Sequence, residues 1–312
     1  MKKFLSYVGI FSLSLILLAG GIEYMLRQVP NLLAYKRCLL EKNTLNLKTL
    51  IIGSSVVNCS INPVFLSDST YNLAISGEWF RFNQALLEKH IDKMPSLKFV
   101  IWGICFHSLW TDDCEEVDES SLINHKIYMD ITREEDYFHN VELPYLGSLA
   151  LRKWSKYYIQ RKPTVFCDSL GLDHSYDHIY KSARWLEDIP RMVRNQRKPI
   201  LADKDSKLYQ SNICRMHKVA ELCHKRGIHL YLVMPPVHPE YYRLADKKQL
   251  ELIRKAVAEV VSCWDNVSSH EYFDDCRFTD DDFYDGNHLN SDIGAKKFST
   301  ILKNDLSVAG YN

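Results

Sequence analysis

Five short apolar runs punctuate the chain: LKTLIIG (47–53), YNLAI (71–75), LKFVIWGI (97–104), IHLYLVM (228–234) and the weaker NVSSHEYF (266–273). Each is bounded by polar or turn-forming residues and is rich in β-formers. Several are apolar on both faces, the pattern of strands in a parallel sheet covered by helices. Between them the apolar period lengthens to that of a helix over Gln84–Lys93, Ser206–Lys225, Glu240–Cys263 and Ser291–Leu306. In the second of these, Tyr209, Ile213, Met216, Ala220 and Cys223 share one face, and Gly227 stands where a C-cap glycine belongs. The alternation predicts an α/β fold, a three-layer α/β/α sandwich around a mostly parallel five-stranded sheet. Sites in such sheets form beyond the carboxyl ends of the strands. The aromatic-rich stretch 106–205, with Trp110, Trp154 and Trp185, breaks the rhythm. It reads as a largely helical insertion between the third and fourth strands, either a cap over a site or a packed embellishment.

The N-terminus follows another pattern. Lys2 and Lys3 precede an uncharged apolar run from Phe4 to Ile22, long enough to cross a bilayer as a helix. No A-x-A cleavage site and no lipobox cysteine lies near Ala19–Gly21. The expectation is an uncleaved signal anchor over residues 1–27, a juxtamembrane connector over 28–46 and the α/β domain over 47–312. Lys2 and Lys3 place the short end in the cytoplasm and the domain outside it, periplasmic or extracellular, on a bacterial inner (cytoplasmic) membrane crossed once. Arg27, Lys36 and Arg37 on the far flank oppose that orientation.

Charge removes some function classes. Lys plus Arg and Asp plus Glu both number 39, for a net charge of +0. No basic stripe interleaved with aromatics is present, so nucleic acid is not an expected partner. The basic run RMVRNQRK (191–198) reads as a solvated face, or as a contact for an anionic glycan or lipid surface. The nine cysteines include no C-x-x-C pair. A domain this large needs no disulfide framework, and most are expected to be small buried hydrophobes.

Three segments carry candidate chemistry. In LIIGSSVVNCS, Gly53 permits a tight turn after the first strand, and Ser54 and Ser55 stand at its carboxyl end. In NLAISGEWF, Gly77 holds the equivalent place after the second strand, where a close backbone N–H can stabilise an oxyanion. In DDDFYDGNHLN (280–290), Asp285 and His288 are three apart, just before a helix that Asn290 or Ser291 would cap. A D-x-x-H turn lets the carboxylate hold imidazole Nδ1–H, leaving Nε2 to take a proton from a serine. Asp280, Asp281 and Asp282 read as a solvated approach loop. Their spacing misses the D-x-D-x-D-G calcium loop, so no metal is expected there. His217 and His224 share a helix face with Cys214, near Cys223, without a complementary set for zinc. Trp79 and His238 are candidates for the rim of a pocket.

Taken in order, Gly53-Ser54-Ser55, Asn72 to Gly77, and Asp285-Gly286-Asn287-His288-Leu289 resemble the blocks of the SGNH/GDSL hydrolase superfamily. The likeness covers roughly 47–105 and 207–308. It implies a flavodoxin-like sheet, Ser55 as nucleophile, His288 as base with Asp285 as its orienter, and no cofactor. It also implies an oxyanion hole built on the backbone N–H of Ser55 and Gly77. Two departures stand out: Ser54 replaces the aspartate of G-D-S, and Gly103-Ile104-Cys105 replaces G-x-N. Asn58 and His107 are candidates for the missing donor, and Ser54, Trp79, Cys105 and His107 for the substrate pocket. The N-terminal anchor, G-S-S, large insertion, late D-x-x-H and LVMPPVHPEYY (232–242) are similar to membrane-anchored envelope proteins of the D-alanine transfer type. That branch implies a serine esterase or O-acyltransferase for acylated carbohydrate or another envelope polymer, working beside a membrane-bound acyltransferase. The rival expectation, resting on the absent asparagine, is a glycan-binding accessory subunit that keeps the fold without the chemistry.

Overall fold

In the computed structural model, residues 1–111, 119–131, 141–197 and 203–308 are described. Parts of the 106–205 stretch, and Lys198 at the end of the basic run, lie outside them. The five apolar runs become β1 (Thr49–Ile52), β2 (Thr70–Asn72), β3 (Phe99–Gly103), β4 (His229–Met234) and β5 (Val267–Glu271). All pair in parallel, in the order β2-β1-β3-β4-β5. Ile51 lies beside Asn72 on one side and Ile101 on the other. Every residue of β1 is buried, and so is β4 beyond His229. Burial on both faces is why these strands read as unbroken apolar runs. β5 is an edge strand whose burial alternates, and its Ser-Ser-His-Glu sequence is the weakest strand signal of the five.

The helices are α1 (Lys2–Gln28), α2 (Leu32–Asn43), α3 (Ser55–Asn58), α4 (Phe80–His90), α5 (Glu119–Asn124), α6 (Leu143–Leu146) and α7 (Ser148–Tyr158). They continue with α8 (Trp185–Gln196), α9 (Asp203–His224), α10 (Pro239–Leu244), α11 (Lys247–Cys263) and α12 (Gly294–Val308). The fold is a three-layer α/β/α sandwich in which α9 packs against both α4 and α11. The helix expected over Glu240–Cys263 is two helices, because Asp246 starts a new one. Its carboxylate accepts from the N–H groups of Lys248 and Gln249. The last helix begins at Gly294 rather than Ser291, since Asn290 Oδ1 accepts from Ile293 and Gly294 N–H.

The chain divides into two compact units, Met1–Arg37 with Glu116–Val165 and Cys38–Glu115 with Phe166–Asn312. The expected insertion is thus shared, both of its ends belonging to the sheet unit. In the first unit, Leu26, Ile123 and Ala150 form a small core that Ile22, Ile127, Leu143 and Trp154 extend. The Glu23 carboxylate accepts from the N–H groups of Glu142 and Leu143 at the start of α6. Buried Glu142 accepts in turn from Lys153 Nζ at 2.9 Å and from the Tyr128 hydroxyl. Among the described residues, α1 is the one helix long and apolar enough to cross a membrane. Its mean hydropathy is 2.0, and none of its apolar window is buried.

The cysteines differ from expectation. Cys59, Cys105 and Cys223 are buried, but Cys38, Cys214, Cys263 and Cys276 are exposed, and no disulfide joins the described cysteines. They lie on helix surfaces and in a turn, where packing does not select for burial.

Candidate active site

The sheet order reverses between β1 and β3, and in open α/β sheets the crevice beyond the strand ends at that point is where ligands bind. Gly53 makes the turn out of β1. It has φ +141°, and a side-chain carbon there would meet Val57 Cγ2 at 2.6 Å. This lets α3 start at once, with Ser55 at its first position. Asn72, buried at the end of β2, holds the turn: its amide donates to the carbonyls of Val57 and Ile61 at 2.8 and 2.9 Å.

The D-x-x-H turn closes on itself. Phe283 and Leu289 bridge antiparallel, and Asp285 Oδ1 accepts from the N–H groups of Asn287 and His288 at 3.0 and 2.9 Å. The same carboxylate meets His288 Nδ1 at 2.9 Å. Burial pushes the Asp285 carboxyl up. The His288 ring and the two N–H donors outweigh that and hold it below the ordinary carboxylate range. With Nδ1 so engaged, His288 Nε2 faces outward and lies 2.7 Å from Ser55 Oγ. Serine, imidazole and carboxylate therefore form one continuous hydrogen-bonded line, although 233 positions separate Ser55 from His288. Such a line can move a proton off a hydroxyl and hold the resulting charge.

The neighbours divide into several groups. The N–H of Ser55 and that of Gly77 donate to no acceptor among the described residues. Gly77 is exposed with φ +77°. Asn58, the candidate substitute donor, is fully buried. Its amide donates to Asp173 Oδ2 at 3.0 Å and to Ser76 Oγ at 3.2 Å, and so ties loops together. Ser54 is buried, with its Oγ 3.8 Å from Cys105 Sγ. Cys105 also lies 3.6 Å from His107 Nδ1 and 2.9 Å from Ser108 Oγ. Burial alone would raise its thiol, but His107 and the Ser108 hydrogen bond bring it down to about 6. Trp79 is half-buried and stacks on Phe82, with ring centroids 5.9 Å apart. His238 pairs with Asp280 at 2.9 Å and packs edge-on to Trp185. His217 accepts from Trp264 Nε1 at 3.0 Å and lies 3.5 Å from Glu259, and no cluster of metal-ligating side chains occurs among the described residues.

One aspartate of DDDFYDGNHLN departs from the solvated loop expected of it. Asp282 is buried, accepting from Thr279 N–H at 2.8 Å and from Lys297 Nζ at 2.7 Å. It pins the loop to α12 and so fixes the height of His288.

Residues 166–184 contribute a wall that the strand pattern did not assign. Asp173 N–H donates to Asn58 O, Ser291 Oγ donates to Asp173 O at 2.6 Å, and Ser291 N–H donates to Tyr176 O. This latches the segment to the nucleophile turn and to the histidine loop together. Tyr176 lies with its ring centroid 5.1 Å from that of His288 and its hydroxyl 3.3 Å from Ser76 Oγ. Burial raises its phenol, which stays neutral. The signal was thin: HSYDHIY (174–180) is a polar-aromatic turn with no period.

Tyr176 is a positioning residue, and its two contacts can be separated. Tyr176→Ala is expected to lower kcat for an activated ester by about tenfold to a hundredfold, through loss of the ring that backs His288. Tyr176→Phe keeps that ring and is expected to stay within about threefold of the parent, the effect of one neutral hydrogen bond. Equal losses in the two variants would show that the ring does not position His288.

No protein-family model and no curated protein matches the chain. A solved structure from Streptococcus pneumonia, described provisionally as a platelet activating factor, is 14% identical. The alignment covers 95% of this chain and 99% of that one, with a TM-score of 0.45. That likeness is too distant to carry an argument about activity.

Proposed function

We propose that the chain is a membrane-anchored serine esterase or O-acyltransferase of the SGNH type, acting on acyl esters of cell-envelope glycans through an acyl-serine. The observation that carries this reading is the 2.7 Å approach of His288 Nε2 to Ser55 Oγ, with Asp285 on the opposite ring nitrogen. His288 takes the hydroxyl proton as Ser55 Oγ bonds to the ester carbonyl carbon. The N–H groups of Ser55 and Gly77 stabilise the oxyanion. The tetrahedral intermediate collapses, the C–O bond to the alcohol breaks, and the departing oxygen takes the proton back from His288. Water or a sugar hydroxyl then attacks the acyl-serine with His288 again as base, restoring Ser55.

Cys105 replaces an amide donor by a buried thiol whose pKa is near 6. A thiol does not stand in for the amide N–H, and loss of one donor costs about 3 kcal/mol of transition-state stabilisation. Anchoring by α1 supports substrates held at the envelope.

The test is to mix the full-length protein with p-nitrophenyl acetate, quench in acid and weigh the Ser55 peptide. One acetyl group on Ser55, discharged faster when a soluble sugar acceptor is added, is the expected result. Nitrophenol release with no acyl group ever found on Ser55 would contradict the proposed mechanism.

A further inference from the structure

We propose that α7 and the segment after it form an interfacial platform that rests on anionic lipid headgroups. The proposal builds on the reading of α1 as a membrane anchor. The apolar run Phe4–Ile22 spans ~28 Å as a helix, the thickness of a bilayer's hydrocarbon core. Ile22 ends that run and Leu26 lies one turn beyond it, and both pack on α7 and its neighbours through Ala150 and Trp154. Tyr158 donates its hydroxyl to Met25 O at 3.0 Å, and Thr164 donates to Pro30 O at 2.7 Å. These contacts fix α7 at the depth where α1 leaves the hydrocarbon.

The side of α7 that faces away from α1 is built for that depth. Leu149, Leu151 and Ile159 are 45%, 51% and 65% exposed. Arg152 and Lys156 are exposed among them. From Leu143 to Val165 the sequence holds Arg152, Lys153, Lys156, Arg161 and Lys162 and no acidic residue. Lys153 is neutralised by Glu142, leaving the other four cations outward. Apolar side chains beside long cationic ones match the two layers of a membrane interface: the leucines enter the acyl boundary while the cations reach the phosphates. A soluble protein partner explains the leucines equally well, but gives no reason for one sign of charge next to a helix of membrane-spanning length.

The test uses the full chain with benzoylphenylalanine at one position, reconstituted in mixed phosphatidylcholine–phosphatidylglycerol vesicles and irradiated. Position 11 in α1 reports the anchor, position 151 reports the platform, and position 64, exposed in the other unit, is the background. Lipid adducts at positions 11 and 151 and none at 64 are expected. Omitting phosphatidylglycerol, or adding Arg152→Glu with Lys156→Glu, is expected to cut the adduct at 151 several-fold while sparing 11. Adduct at 11 but not at 151, protein cross-links at 151, or a yield at 151 indifferent to lipid charge would overturn the platform and leave the anchor standing. Failure at 11 would overturn both.

Discussion

Asp285→Asn is expected to lower ester turnover by about 10⁴-fold while leaving the fold in place. The amide is isosteric with the carboxylate, and its oxygen still accepts from the N–H groups of Asn287 and His288. Its NH2 group then faces His288 Nδ1, which can accept only if the ring proton moves to Nε2. A protonated Nε2 cannot take the proton of Ser55 Oγ, 2.7 Å away. The imidazolium formed during reaction also loses its counter-charge. Measured kcat for p-nitrophenyl acetate, with circular dichroism to confirm folding, checks this. Turnover within tenfold of the parent would remove Asp285 from the mechanism. Acid stability provides a second readout. The Asp285 carboxyl is held below its ordinary range, so its stabilising contribution is complete at neutral pH. That contribution is lost as pH falls through the lowered value, and the asparagine variant has none of it to lose.

Ser55→Ala is expected to have the larger effect, about 10⁶-fold in kcat, because among the described residues no other hydroxyl bonds to His288 Nε2. Ser54 is no substitute, since its hydroxyl points to Cys105. His288→Ala is expected to cost about as much, and the double variant no more than either. Three groups that act as one unit lose their contribution together. Losses that add in the double variant would mean that Ser55 and His288 act independently.

The sheet was legible because its interior strands are buried on both faces, as the unbroken LIIG and IWGI runs record. The serine and the D-x-x-H turn were legible because a tight turn, a hydroxyl and an acid–imidazole pair each demand particular residue types at fixed local spacing. Their juxtaposition is a property of long-range loop contacts. β3 and β4 lie between β1 and β5, so the stretch after β5 must return across the strand ends, where Ser291 donates to Asp173 O and Tyr176 O and Ser299 Oγ accepts from Asn62 N–H. What stayed hidden is what depends on long-range polar contacts. Asp173 and Tyr176 look like turn residues, and only the latch to Asn58 and Ser291 gives them a place. The partner of Asn58 was hidden for the same reason, as its amide lies near the right turn but is held by a carboxylate 115 positions away. Asp282 resembled its exposed neighbours until Lys297 closed over it.

The most direct measurement is covalent labelling of the full-length protein with a fluorophosphonate probe, read by mass spectrometry of the Ser55 peptide. The proposed mechanism predicts one phosphonyl group on Ser55, no label in Ser55→Ala, and strongly slowed labelling in His288→Ala. A folded parent that takes no label, or a Ser55→Ala variant that labels as well as the parent, would contradict it.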